Sequence, residues 1–68
     1  MENVVIKVGG MSCQGCVNSV TGALKAVPGV VSAEVSLEKG EARVAFDPAA
    51  VDLARLRQAV DDAGFDAA

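Results

Sequence analysis

Cys13 and Cys16 are the only two cysteines of the chain, and two residues separate them in the run Gly10-Met11-Ser12-Cys13-Gln14-Gly15-Cys16. The thiolate is the form of cysteine that attacks or binds metal, and an ordinary thiol with a pKa of about 8.5 is mostly protonated near neutrality. Once ionised, a pair at this spacing can clamp a soft metal ion or exchange with a disulfide. It cannot serve as a structural staple, because closing so short a loop barely restricts the unfolded chain.

Side chains three apart at a helix start have Cβ atoms about 5–6 Å apart. Two opposed sulfurs with metal bonds of about 2.3 Å stand about 4.6 Å apart, so the spacing fits a two-coordinate ion. Zinc prefers four ligands, and the chain has no His and no further Cys, so a closed zinc site would need two carboxylates or a second molecule. Soft thiolates at low coordination number favour Cu(I), and Ag(I) and Hg(II) satisfy the same geometry. A pair of ordinary small apolar residues is the bland alternative, and the coincidence of spacing, flanking glycines and helix start weighs against it. A thiol-disulfide oxidoreductase is the alternative from the enzyme class. The short chain and the lack of an aromatic residue beside the cysteines count against that, and the chain is read as a non-enzyme.

The elements that position these sulfurs follow from periodicity. Val4, Ile6 and Val8 alternate with Val5 and Lys7 as a strand ended by Gly9-Gly10. Val17, Val20, Leu24 and Val27 mark the apolar stripe of a helix from about Gln14 to Ala26, stopped by Pro28-Gly29. Val31, Ala33, Val35 and Leu37 are expected on one face of a second strand, and Ala42, Val44 and Phe46 on one face of a third. The Glu38-Lys39-Gly40 turn between them makes an antiparallel hairpin. Leu53, Leu56, Val60 and Ala63 space a second helix over about Val51 to Ala63, with Asp52 among its water-facing residues and Gly64 as its terminator. Phe65 to Ala67 leave room for a short last strand. The order β-α-β-β-α-β is that of a ferredoxin-like α+β sandwich, an antiparallel sheet with two helices on one face.

On this reading Cys13 precedes the first helix and Cys16 lies in its first turn, where free backbone N–H groups and the helix dipole lower thiol pKa values. Ser12 or Cys13 is the expected N-cap, and Gly9, Gly10 and Gly15 let the backbone bend closely round an ion. Met11 is expected to be an apolar plug anchoring the loop, with its thioether as a third ligand the less favoured alternative. The 68 residues allow one small domain, 1–68, and a core built mostly of Val and Ala argues against a large ligand cavity. A net charge of −3 with no basic run and no aromatic platform argues against nucleic acid. No apolar stretch is long enough to insert in a membrane and no basic-then-apolar leader opens the chain, so the expected location is cytoplasmic, where the thiols stay reduced.

Gly10-Met11-Ser12-Cys13-Gln14-Gly15-Cys16 resembles the Gly-Met-x-Cys-x-x-Cys motif of the heavy-metal-associated domain family. The resemblance extends through Pro28-Gly29-Val30, the Val35/Leu37 and Val44/Phe46 pairs and Ala63-Gly64-Phe65 in matching order. It implies the ferredoxin-like fold, Cu(I) ligation by Cys13 and Cys16, and burial of Met11. Ser12, where zinc- and cadmium-exporting pumps often carry Asp, resembles the copper branch. Phe65 implies a side chain close to the metal loop; bacterial soluble chaperones often have Tyr there, and domains of copper-pumping ATPases often Phe. The implied function is a bacterial copper chaperone that passes Cu(I) to the metal-binding domain of a copper-transporting P-type ATPase. The Met1 start and the end soon after Phe65 favour that over an excised N-terminal domain of such an ATPase. A monomer is expected, with a copper-bridged dimer as its alternative state.

Overall fold

The computed structural model describes residues 1–67. Six elements follow in order: β1 (Glu2–Gly9), α1 (Gln14–Lys25), β2 (Val30–Ser36), β3 (Glu41–Phe46), α2 (Leu53–Asp62) and β4 (Asp66–Ala67). The sheet order is β2-β3-β1-β4 with every neighbouring pair antiparallel. This is the ferredoxin-like βαββαβ arrangement anticipated from the sequence.

Period-two alternation divides the sheet into a core face and a water face. Ile6, Val8, Ala33, Ala42, Val44 and Phe46 are buried in one cluster with Val20 and Leu24 of α1 and Leu56, Ala59 and Val60 of α2. Val5, Glu34 and Arg43 on the opposite face are exposed, so both helices cover the same side. Ile6, Leu24 and Leu56 are almost entirely removed from water, each contributing about 1.5–3 kcal/mol of hydrophobic stabilisation. The core is large for so short a chain because nearly every apolar stripe position reaches it.

The start of β2 departs from simple alternation. Val31 was expected inward, yet it is 62% exposed and Val30 packs against the core instead. The register explains this: Val30 pairs with Phe46 and Ser32 with Ala45, leaving Val31 as the extra residue of a β-bulge. One inserted residue shifts every preceding side chain to the opposite face. Leu37 was also expected inward; it lies beyond the end of β2, in the turn to β3, and is 39% exposed.

The second helix begins later than its apolar spacing suggested. Asp52 is extended (φ −111°, ψ 171°) and its carboxylate accepts the Arg55 N–H at 2.9 Å, so it is the N-cap and Val51 is buried just outside the helix. Gly29 turns the chain into β2 with φ 98°, where a Cβ would stand 2.8 Å from that of Ala50. No helix among the described residues is long and apolar enough to cross a membrane.

Candidate metal centre

Three chain segments meet at the end of the sheet where β1 gives way to α1. Gly9 pairs with Asp66 of β4, and the Val8 N–H donates to the Gly40 carbonyl of the β2–β3 turn at 2.8 Å. From there Gly10 reverses the chain with φ 94°, a left-handed conformation that a side chain disfavours. Met11 is half-buried and packed against the core, so the loop is anchored one residue before it becomes exposed at Ser12 and Cys13.

Cys13 is the N-cap of α1, extended at φ −155°, ψ 168°. Its carbonyl accepts from the N–H groups of Cys16 at 3.1 Å and Val17 at 3.3 Å, while its side chain makes no capping bond. Capping by backbone alone leaves the sulfur free for other partners. Ser12 was the other candidate cap, but it lies one residue too early for its hydroxyl to cap α1. Gly15 and Gly9 were expected to bend the loop with Gly10. Only Gly10 adopts a positive φ, for Gly15 lies within α1 and Gly9 within β1. A Cβ on Gly15 would meet the Cys13 sulfur at an ordinary 3.7 Å.

The two sulfurs stand 3.2 Å apart as a hydrogen-bonded pair, Cys13 exposed and Cys16 half-buried, both free of disulfide. Cys16 is lowered from 9.0 to about 7 by the backbone of Ser12 first and the Cys13 thiol second, with burial acting in the opposite direction. Lowering by backbone groups at the helix start was expected from the sequence; that Ser12 supplies the largest share had no signal there, since main-chain donors look alike in every residue type.

Phe65 reaches the site from the far end of the chain. The Gly64 N–H donates to Asp61 O at 2.9 Å and the Phe65 N–H to Val60 O at 3.2 Å, with Gly64 at φ 94°. These two bonds form the Schellman ending of α2, and they aim residue 65 back at the protein. The ring is half-buried, its Cδ1 3.7 Å from where a Cβ on Gly10 would sit. The structure thus gathers Gly10, Met11, Ser12, Cys13, Gly15, Cys16 and Phe65 at one end.

Chemically the donor set is two sulfurs. No group of three or more His, Cys, Asp or Glu suited to a metal occurs among the described residues. Two in-line bonds of about 2.3 Å need sulfurs about 4.6 Å apart, wider than the 3.2 Å of the thiol pair by about 1.4 Å.

Residues 5–66 match the model of the heavy-metal-associated domain family. Copper chaperone CopZ of Staphylococcus haemolyticus (strain JCSC1435) is 46% identical over 66 residues, covering 97% of this chain and 97% of its own length. Copper-transporting ATPase 1 of Mus musculus is 42% identical over 67 residues, 98% of this chain, which spans 4% of that protein. Among solved structures, a copper binding domain from HMA7, a P-type ATPase, superposes with a TM-score of 0.99 at 41% identity, covering 100% of this chain and 92% of that one.

Proposed function

The chain belongs to the heavy-metal-associated domain family, and on that footing we propose that it is a soluble copper chaperone, carrying Cu(I) between Cys13 and Cys16 and releasing it by thiolate exchange. The observation that supports this most is the sulfur pair itself: two free thiols 3.2 Å apart at an exposed helix start, with no group of three or more His, Cys, Asp or Glu suited to a metal among the described residues. Soft sulfur donors at low coordination number select Cu(I) over zinc. Gly10 and Met11 set the loop, Ser12 and Gly15 flank the sulfurs, and Phe65 closes the side next to Gly10.

Copper is cargo here, so the chemistry is transfer without a catalytic group. A two-coordinate ion accepts a third sulfur from an acceptor's cysteine, and one original bond then breaks. Cys13, whose exposed side chain makes no capping bond, is the ligand that exchanges first; Cys16, half-buried in the first turn, holds the ion meanwhile. The acceptor in this reading is the metal-binding domain of a copper-transporting P-type ATPase, and the location is the cytoplasm, where the thiols stay reduced. The chain acts as a single domain over 1–68.

Anaerobic titration with Cu(I) against a strong competing chelator tests the assignment. One ion per chain is expected, with most of the affinity lost in both Cys13→Ser and Cys16→Ser. Wild-type affinity in either variant would sink it, and disulfide-reductase turnover with only weak copper binding would favour an oxidoreductase. A second reading, a metal-binding domain within a copper-transporting ATPase, draws on Phe65 and on the similarity to the HMA7 domain. The size of the native polypeptide, read by immunoblot, separates the two.

A further inference from the structure

We propose that the outer edge of β2 is the contact surface for a second copy of this chain, which pairs its own β2 antiparallel across a two-fold axis at Glu34. The strand β2 closes one side of the sheet, with β3 on its inner side and no strand on its outer side among the described residues. Unpaired N–H and C=O groups on such an edge are a template for another strand. The bulge at Val31 confines that template to the regular run from Ser32 to Ser36. Neither cysteine takes part, so this pairing goes beyond the chaperone reading and does not rest on it.

A second copy is the occupant because the edge matches itself. Four large hydrophobic residues are exposed, and two of them, Val31 at 62% and Leu37 at 39%, bracket this strand. Each lies three residues from Glu34, so an antiparallel copy centred there sets Val31 of each chain opposite Leu37 of the other. Ser32 then meets Ser36, and Ala33 meets Val35. Moving the axis by one residue sets Val31 against Val35 or Lys39 instead, so the apolar pair selects the register.

Charge agrees with the same arrangement. The helix α1 packs on β2 and leads into it through Pro28-Gly29, which leaves Lys25 of its last turn near the start of the strand, while Glu38 follows the strand's end. Antiparallel pairing brings Glu38 of each copy to the end of the other that carries Lys25. Neither residue has an ion-pair partner of its own among the described residues. One contact opposes association, since the axis sets Glu34 against its copy. Both carboxylates lie on the water-facing side of the sheet beside Arg43 of β3, where salt screens them.

The paired run is short and belongs at the low end of interface sizes, so dimerisation is expected on the order of 0.1–1 mM. The strand ends at the turn whose Gly40 carbonyl binds the Val8 N–H beside the cysteine loop. Antiparallel strands therefore put the two cysteine pairs at opposite ends of the dimer, unlike a dimer bridged by copper.

Sedimentation of the metal-free full chain with both cysteines alkylated tests the surface, because no ion can then bridge two copies. Mass should double between about 0.01 and 2 mM, with a midpoint that falls as salt rises and falls again in Glu34→Gln. Val31→Lys and Leu37→Lys should each weaken association at least about tenfold, with far-ultraviolet circular dichroism unchanged. Register is read by mild oxidation in a Cys13→Ser/Cys16→Ser background. Glu34→Cys should form a covalent dimer, since Cα atoms of an antiparallel pair stand about 4.5–5.5 Å apart, within disulfide reach. Ser32→Cys should not, its two copies being about 13 Å apart, whereas Ser32→Cys and Ser36→Cys chains mixed together should link to each other. A chain that stays monomeric at about 2 mM would overturn the pairing and leave this edge to a strand of a different protein. A dimer indifferent to both lysine variants, or Ser32→Cys linking to its own copy as fast as Glu34→Cys, would overturn it equally.

Discussion

Replacing Cys13 by Ala probes the electrostatics of the site through the remaining thiol. In the folded protein Cys16 is lowered from 9.0 to about 7, chiefly by the Ser12 backbone and then by the Cys13 thiol. At about pH 8, midway between these values, roughly nine in ten Cys16 side chains are thiolate in the folded chain and roughly one in ten in the unfolded chain. The Cys13→Ala protein keeps the Ser12 contribution and loses the other, so its single thiol should titrate above about 7 but still below 9.0. Thiolate ultraviolet absorbance across pH, with and without denaturant, measures this directly. The sign for stability follows from proton counting. Between about 7 and 9.0 the unfolded wild-type chain binds more protons than the folded one, so stability rises with pH through that window. The contribution is complete above 9.0 and is lost as pH falls through about 7. Urea midpoints at the two ends of the window check it. A wild-type thiol that titrates near 9.0 whether folded or unfolded would refute the electrostatic account, and a Cys13→Ala thiol still at about 7 would remove Cys13 from it.

Two glycines should respond oppositely to Ala. Gly29→Ala forces a side chain into φ 98° and to 2.8 Å from the Ala50 Cβ, costing roughly 1–3 kcal/mol. Gly22→Ala, exposed in α1 with nothing within 4 Å, should stabilise by about 0.5–1 kcal/mol; thermal or urea unfolding reads both. Asp52→Ala removes the acceptor for the Arg55 N–H and should cost about 1 kcal/mol in the same assay. At the bulge, Val31→Lys should leave the unfolding midpoint nearly unchanged while Val30→Lys lowers it, and equal losses would argue against the assigned register.

Much of this architecture was legible in the chain because its signals are local. A period of two or of three to four residues reports a buried face wherever the partner lies, so Ile6/Val8, Val17/Val20/Leu24 and Ala42/Val44/Phe46 announced their own elements. The misreadings lie where a neighbour decides. Val30 and Val31 are chemically identical, and only the pairing of β2 with β3 selects which one is buried. Asp52 fits a helical spacing as well as a cap, and its hydrogen bond to Arg55 N–H distinguishes the two.

At the site the division is the same. Ligand type and number are properties of the amino acids themselves, so two thiols without a histidine already pointed to a soft ion of low coordination, and Cys-x-x-Cys at a helix start already placed them side by side. Tertiary structure alone decided how they differ: Cys13 exposed as a cap that uses only its backbone, Cys16 half-buried and lowered by Ser12 and Cys13. It also brought Phe65 to Gly10 across more than fifty residues of sequence, through the Schellman ending of α2 and the pairing of β4 with β1. Residue chemistry and periodicity act over a few bonds and survive in the bare sequence. Register, exposure and the approach of distant segments are set by the packing of the whole chain.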